Sequence, residues 1–556
     1  MTQLGISAFY HDSAACLVVD GQVIAAAEEE RFTGIKHDDS FPINAIKYCL
    51  EEGKIKISDV KEICWYEKPK IKEQRAYKIF NKRFLRTLLL RLKAKKRFKT
   101  QNPFVLLKSI GYRGRVKFID HHRSHTNFSY YTSPFKEAAI LTVDGVGEWE
   151  TVTISHAKGN NIKKLYSVNF PHSLGMLYST ITSYLGFKPN EGEYKVMGLS
   201  PYGDPSKYFG KLNKLFDKSK GDLYLLQRYF TWEYSDQVMF NKRLCRLLEL
   251  APRLPEEPVT QDHMDLAAAL QKIYEREFLY LVKKSKELTG TTNLCLGGGC
   301  AYNGVANALA YKYFDSVYVP FAPSDAGSAI GACLKTHTNI SPYLGPQFND
   351  RQVYRSLQKY KRYINYYKLS PKKIIQKTAQ LLSAQNIVGW VQGRMEFGAR
   401  ALGNRSILAS PRHPMMRERL NQVIKKRESF RPFAPSVVEE KASKFFHLKE
   451  PVPYMNMVVD AKSDALPSAT HIDGTCRVQT VTRYQNEKYY LLLQEMGKMC
   501  NIPVLLNTSF NLKDQTITLD PDQGIQKLIR NWQKEKEYKK KLAELKKRDP
   551  FNYKNF

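Results

Sequence analysis

Residues 3–28 alternate short apolar runs with polar turns: LGISAFY, HDSAA, CLVV, Asp20-Gly21, QVIAAA. Asp-Gly between apolar runs is a two-residue hairpin signal, so the stretch predicts strand, polar turn, strand, tight turn, strand. The pattern recurs at 139–167 as AAILTV, Asp144-Gly145, ETVTIS, Gly159-Asn160 and IKKLYSV. Each copy puts an Asp-containing polar turn after its first strand. That predicts a duplicated α/β unit rather than a tandem array.

Helical spacing of apolar residues predicts a helix over 260–290, and TTNLCLGGGCAYNGVANALAYK then predicts strand, glycine loop, helix. The pattern weakens at 335–365 through Pro342, Gly345 and Pro346, the best candidate for a domain junction. A second α/β unit follows to about residue 530, and a Lys-rich tail ends the chain. The expected divisions are therefore 1–345, 366–530 and 531–556. Duplicated hairpin-bearing units of the first kind are used by the actin, sugar-kinase and Hsp70 group, which binds phosphates at the two turns.

Between the two copies the pattern changes. From 68 to 117 there are eighteen Lys/Arg and one acid, Glu73, interleaved with aromatics and leucines at roughly helical spacing. This predicts a basic amphipathic helical insertion: a solvated surface, or one that binds nucleic acid or a membrane face. It sits in a chain with 87 Lys+Arg, 54 Asp+Glu and a net charge of +33. Such a balance points to polyanions, anionic surfaces or anionic substrates, and is silent on fold. The 43% hydrophobic content over 556 residues excludes wholesale disorder and allows large cores. Nine scattered cysteines without C-x-x-C predict reduced thiols. With no signal-peptide pattern and no long apolar run, the expectation is a soluble cytoplasmic protein.

Three groups of residues carry candidate chemistry. In His121-His122-Arg123-Ser124-His125 the outer histidines are four apart, on one face of a helix, where two imidazoles can share a metal. Asp144 ends a predicted strand and Asp325 opens a small-residue helix in FAPSDAGSAIG. Either alone reads as turn or N-cap chemistry. Together with the histidines they form a mixed N/O set suited to Fe(II), Mn(II) or Zn(II). Second, Gly297-Gly298-Gly299-Cys300 between strand and helix can bring N–H groups to phosphates, yet matches neither dinucleotide nor P-loop spacing. Third, GRMEFGARALGNRS (Arg394, Arg400, Arg405), IKKRESFRPFAPS, Thr475-Cys476-Arg477 and PVLLNTSFN set cations among Gly, Phe, Pro, Ser and Asn. Arg forks beside such donors suit phosphate recognition.

The strings AFYHDSAACLVVDGQVIAAAEEERFTGIKHD, HHRSH, VDGVGEWE, GEYKVMGLSPYG, GGGCAYNGVAN, PSDAGSAIGA, GRMEFGARALGNRSILA, KKRESFRPFAPS and PVLLNTSFN resemble, in order and over about residues 1–515, the NodU/CmcH family of O-carbamoyltransferases. The resemblance implies an α/β fold: a duplicated actin-like (ASKHA) N-terminal domain joined to a YrdC-like α/β C-terminal domain. It implies that carbamoyl phosphate and ATP with Mg2+ give carbamoyl-adenylate, from which the carbamoyl group passes to an acceptor hydroxyl. Fe(II) or a similar divalent metal would be held by His121, His125, Asp144 and Asp325. His11 would be the general base. Arg394, Arg400, Lys426, Arg427, Arg431, Arg477, Ser509 and Asn511 would contact carbamoyl phosphate and ATP. Lys36, Gly298, Gly299 and Asn303 would hold carbamoyl-adenylate in the N-terminal domain. Ala399 stands where the family usually has Pro, a mild change.

Family acceptors are typically sugars, antibiotics or lipochitooligosaccharides, which do not call for +33. The surplus charge lies in 68–117 and after 530, which points to DNA carrying hydroxymethylated pyrimidines as acceptor, bound through those segments. The alternatives are a small-molecule, sugar or polysaccharide hydroxyl, threonylcarbamoyl-adenosine synthesis on tRNA, or a non-catalytic nucleic-acid-binding protein. A homodimer is compatible with all of them.

Overall fold

The structure is a computed structural model that describes residues 1–530 except 83, 236 and 237, together with positions 533 and 544. The rest of the 531–556 tail lies outside the described residues. Two five-stranded sheets form the N-terminal half. The first has β1 (Thr2–Ser7), β2 (Ala14–Val19), β3 (Gln22–Glu28), β4 (Glu62–Trp65) and β5 (Arg115–Phe118) in the order β3-β2-β1-β4-β5. The second has β6 (Glu137–Val143), β7 (Glu150–Lys158), β8 (Asn161–Asn169), β9 (Asn293–Gly297) and β10 (Ser316–Tyr318) in the order β10-β9-β6-β7-β8.

Read from its first strand, each sheet has the same plan. The first three strands form an antiparallel meander, and the fourth and fifth pair parallel beyond the first. The duplication expected from the turn pattern is therefore present strand for strand. Asp20-Gly21 and Gly159-Asn160 make the hairpin turns, with Asp20, Gly21 and Gly159 at positive φ.

Between the sheets lie the His121–Tyr131 and Asp325–Cys333 helices. Small residues let them approach closely. A Cβ on Gly331 would stand 2.0 Å from the Ser124 carbonyl oxygen, and one on Gly5 of β1 would stand 2.0 Å from that of Ala329. The stripe of Ala, Gly and Ser in DAGSAIGAC thus fixes the separation of two helices that each carry metal-type ligands.

The basic stretch leaves the first sheet between β4 and β5 as helices Pro69–Lys82, Phe84–Thr100 and Pro103–Ser109. Its last residues, Arg115–Lys117, belong to β5 and not to an insertion. The junction at 335–365 includes a capped helix, Asp350–Lys359. Beyond it, β11 (Val388–Val391), β12 (Arg405–Ala409), β13 (Ala434–Val438), β14 (Val458–Asp460), β15 (Thr475–Arg477), β16 (Gln479–Val481) and β17 (Val504–Ser509) follow. The C-terminal sheet runs β11-β12-β17-β13-β16, antiparallel except for β13–β16, and β14–β15 form a separate ribbon. Among the described residues no helix is long and apolar enough to cross a membrane.

Candidate active site

His121 and His125 lie one turn apart on the same helix, and their Nε2 atoms stand 3.1 Å from each other. Asp144, just past β6, brings Oδ2 within 2.9 Å of His121 Nε2 and 3.7 Å of His125 Nε2. Asp325, at the start of its helix, brings Oδ1 within 3.5 Å and 3.3 Å of the same two atoms. All four side chains are buried, so one ligand atom from each converges on a single point.

Neighbours orient the ligands. The Ser328 hydroxyl lies 3.0 Å from His125 Nδ1, and the Gly299 N–H donates to Asp144 Oδ1 at 3.0 Å. That second bond exists because Gly298, at φ +85°, passes against the end of β6. A Cβ there would stand 2.2 Å from the Val143 carbonyl oxygen.

The quartet fits a divalent transition metal. Both Asp325 oxygens are buried without a hydrogen-bond partner, an arrangement that is costly unless a cation is bound. Two facing imidazole nitrogens with two carboxylates are the donor set of a borderline-soft ion. Without the ion the site holds protons instead. Burial lowers the His125 pKa, but Asp144 and Asp325 outweigh it and lift the ring to about 9. Burial raises that of Asp144, yet His121 and His125 hold it well below the usual carboxylate range.

Asp144 also lines a cavity of about 390 Å³ between the two halves of the chain, together with His11, Lys36, Gly299 and Asn303. Lys36 pairs with Glu191 at 2.5 Å. Asn303 caps the following short helix and exchanges hydrogen bonds with Gln271. His11 Nδ1 lies 3.0 Å from Asp12 Oδ2, and the other Asp12 oxygen lies 2.6 Å from His37 Nδ1. Asp12 and His37 both hold positive φ, so the backbone is strained where it joins the two imidazoles. Burial lowers the His11 pKa, but Asp325 and Asp12 more than compensate and raise it to about 10. That departs from the ordinary histidine expected of a base at neutral pH.

The opposite wall of the cavity is cationic. Arg400, Lys425, Arg427, Arg431 and Arg477 line it with Ser509 and Asn511. Burial, reinforced by Arg431, pulls the Arg427 pKa down to about 9. Burial, then Arg400, Arg427 and Arg431, pull Arg477 well below its usual value, and burial with Arg427 and Arg431 does the same to Lys425. The Nε atoms of Arg400 and Arg477 are buried without a partner. Aromatic faces stand in for acids: Tyr302 under Arg400, Phe433 under Arg427 and Tyr194 under Arg431, at 5.2, 4.5 and 4.8 Å. Glu428 is the carboxylate that reaches this group, 3.4 Å from Arg431. Buried like charges held together this way constitute a site for a multiply charged anion.

Three expected contacts lie outside the cavity lining, Gly298, Lys426 and Arg394, and Gly298 acts only through the course of its loop. Lys426 is exposed, because the Leu420–Lys425 turn ends with Lys426 in the left-handed region at φ +47°. Lys425 turns inward instead, its Nζ 2.7 Å from Asn511 Oδ1 and bonded to the Ser509 carbonyl. Arg394 is absent from the cavity wall and ties the halves together through the carbonyls of Ile24 and Leu344, at 2.9 and 2.6 Å. Arg405 is fully buried and satisfied by backbone carbonyls, including those of Gln392 and Pro346. Sequence reasoning counted Lys425 in the cationic segment but assigned the contact to Lys426, and it missed Asp12, His37 and Tyr194. The strings HDSAA, IKHD and GEYKV contain those three, and KKR offers no local sign of which lysine turns inward.

A family model described as the carbamoyltransferase N-terminus matches residues 2–334, and one described as the carbamoyltransferase C-terminus matches 379–538. A Synechocystis protein named only as uncharacterized is 40% identical over 95% of this chain and 94% of its own. The nodulation protein NolNO of Sinorhizobium fredii is 37% identical over 90% of this chain and 74% of its own. The nodulation protein NolO of Bradyrhizobium diazoefficiens is 37% identical over 73% and 75%. Among solved structures, HypF of T. kodakarensis covers 60% of this chain and 47% of its own at 13% identity and a TM-score of 0.31, too loose to bear on the site.

Proposed function

The chain belongs to the carbamoyltransferase family, and from that premise we propose an ATP-dependent O-carbamoyltransferase whose two halves share one cavity. The observation that carries this reading is the cavity wall: buried cations on the C-terminal side face His11 and Asp144 on the N-terminal side. The C-terminal half, YrdC-like in this reading, takes carbamoyl phosphate and ATP with Mg2+. Water hydrolyses carbamoyl phosphate, inorganic phosphate leaves and carbamate remains. A carbamate oxygen then attacks the α-phosphorus, pyrophosphate leaves, and carbamoyl-adenylate forms. Arg400, Lys425, Arg427, Arg431 and Arg477 balance the phosphate charge, and Ser509 and Asn511 orient Lys425.

On the N-terminal side, the acceptor hydroxyl attacks the carbamoyl carbon, the bond to AMP breaks, and His11 takes the hydroxyl proton. Asp12 holds His11 by Nδ1, which leaves Nε2 as the basic atom. Asp325 first and then Asp12 hold His11 protonated, so its work as a base at neutral pH calls for the Asp325 charge to be balanced. Fe(II) or a similar ion held by His121, His125, Asp144 and Asp325 supplies that charge and Lewis acidity toward the carbamoyl group when bound. Lys36, Gly299 and Asn303 contact the adenylate, and Gly298 shapes their loop.

The acceptor in this proposal is DNA carrying hydroxymethylated pyrimidines. The support is the surplus charge of the chain, and the test is the product. Incubation with carbamoyl phosphate and ATP should release pyrophosphate and add one carbamoyl mass to a hydroxymethylated oligonucleotide. Transfer to a free sugar with none to DNA overturns the acceptor. No carbamoyl-phosphate-dependent pyrophosphate overturns the reaction.

A further inference from the structure

The basic insertion divides its cations into two sets. One set points inward and grips the loops that carry the chemistry. Arg97 Nη2 lies 2.6 Å from the carbonyl of Phe9, two residues before His11. Arg75 Nη1 lies 2.6 Å from the carbonyl of Gly147, on the loop that begins with Asp144. A Cβ on Gly147 would stand 3.0 Å from His121, so this loop is pressed against a metal-type ligand. Lys72 lies 5.8 Å from the Tyr10 ring and Lys78 5.4 Å from the Trp149 ring. Tyr10, His11 and Gly145 line the cavity. The insertion therefore packs against the loops that carry the N-terminal side of the candidate active site, although none of its own residues lines the cavity.

The other set points outward. Lys70, Lys95, Lys96, Lys99, Lys108 and Arg113 are exposed and make no ion pair among the described residues. Lys96 and Lys99 lie within one helical turn of Arg97. Like charges this dense, with Glu73 the one acid from 68 to 117, repel one another unless a polyanion lies across them. Tyr10, which lines the cavity, and Trp149, which does not, add half-buried rings beside Lys72 and Lys78. Cations tracking a backbone, with rings for bases to stack on, are the elements of a single-stranded nucleic-acid path.

We infer that the pair of helices Pro69–Lys82 and Phe84–Thr100 is the docking surface for a single-stranded or locally unpaired nucleic acid and presents the strand to His11. The inference rests on the carbamoyl-transfer reading but concerns the surface alone. Its chemistry is phosphodiester charge neutralised by Lys95, Lys96 and Lys99, with Arg97 and Arg75 coupling the two helices to the catalytic loops.

The test is the triple variant Lys95→Glu, Lys96→Glu, Lys99→Glu against the unaltered full chain. The probe is a single-stranded oligonucleotide containing 5-hydroxymethylcytosine, read by fluorescence anisotropy over a salt series. The variant should bind at least ~10-fold more weakly at about 0.1 M salt, with a log–log salt slope smaller by about 2, as three lost phosphate contacts require. Acceptor-free pyrophosphate release should be the same in both proteins, which shows that the variant is folded. Equal oligonucleotide binding by the two proteins overturns the docking surface. So does binding to phosphatidylglycerol vesicles without binding to the oligonucleotide. Absence of pyrophosphate release from both proteins strikes the carbamoyl-adenylate reading instead and leaves the binding result to stand by itself.

Discussion

The two walls of the cavity solve opposite problems of buried charge. On the N-terminal side, Asp144 lines the cavity and, with Asp325, is buried against His121 and His125, so the group can balance itself by taking up protons. On the C-terminal wall, Arg400, Lys425, Arg427, Arg431 and Arg477 lie together, and burial disfavours the charged forms of Arg400, Lys425, Arg427 and Arg477. The first group suits a cation and can also take up protons, whereas the second suits an anion. In the proposed reaction, a metal-assisted transfer step and a phosphate-binding step would have separable electrostatics within one cavity.

The largest effect should come from breaking the acid–imidazole wall. His121→Ala or His125→Ala should lower carbamoyl transfer at least ~10³-fold while pyrophosphate release stays within about twofold and bound metal falls below one equivalent. Transfer that survives in metal-free protein would erase the distinction between the walls. On the other side, Arg477→Met or Arg427→Met should cut pyrophosphate release by about 10²–10³-fold, the scale seen when a preorganised charge donor is lost. Metal content should not change, as measured by elemental analysis.

A pH series sharpens the comparison next. His125 is raised from 6.5 to about 9 in the folded chain, and His11 to about 10. Their contribution to stability is fully present below pH 6.5 and is lost as pH climbs through 9 to 10. Chelator-treated protein should therefore melt at progressively lower temperature over that window. Metal-loaded protein should show a flatter profile, and metal binding near pH 7 should release protons, measurable by calorimetry in buffers of different ionisation enthalpy. Smaller again is the lysine pair. Lys425→Ala should impair pyrophosphate release ~10-fold or more, whereas Lys426→Ala should stay within about twofold. Reversal of that order would restore Lys426 to the site. The smallest catalytic effect belongs to Arg394→Met, which should lower the melting temperature with little change in the KM for ATP.

The architecture was legible wherever local pattern and tertiary role coincide. The Asp-Gly turn and the apolar runs of residues 3–28 specify a meander on their own, and β1–β3 form it. The four-residue spacing of His121 and His125 needs only helical geometry to share a face, and the helix is present. Asp325 could be nominated because a small-residue helix follows it, though nothing local placed it 3.3 Å from His125. Lys425 and Lys426 were indistinguishable in sequence because the choice depends on one backbone angle past a wide turn. Arg394 looked like its neighbour Arg400, yet the course of the chain sends one to carbonyls of the first half and the other to the cavity.

By itself the sequence determined the duplicated α/β plan, the supply of residue types suited to a metal or phosphate, and the excess of positive charge. Local periodicity, turn chemistry and composition decide those. Tertiary structure alone decided that Asp144 and Asp325 meet over two imidazoles, that five cations are driven together on the facing wall, and that the basic helices lean on the loops of His11 and Asp144. Those outcomes depend on which distant segments share a cavity, and only the packing of sheets and close-approaching helices brings such segments together.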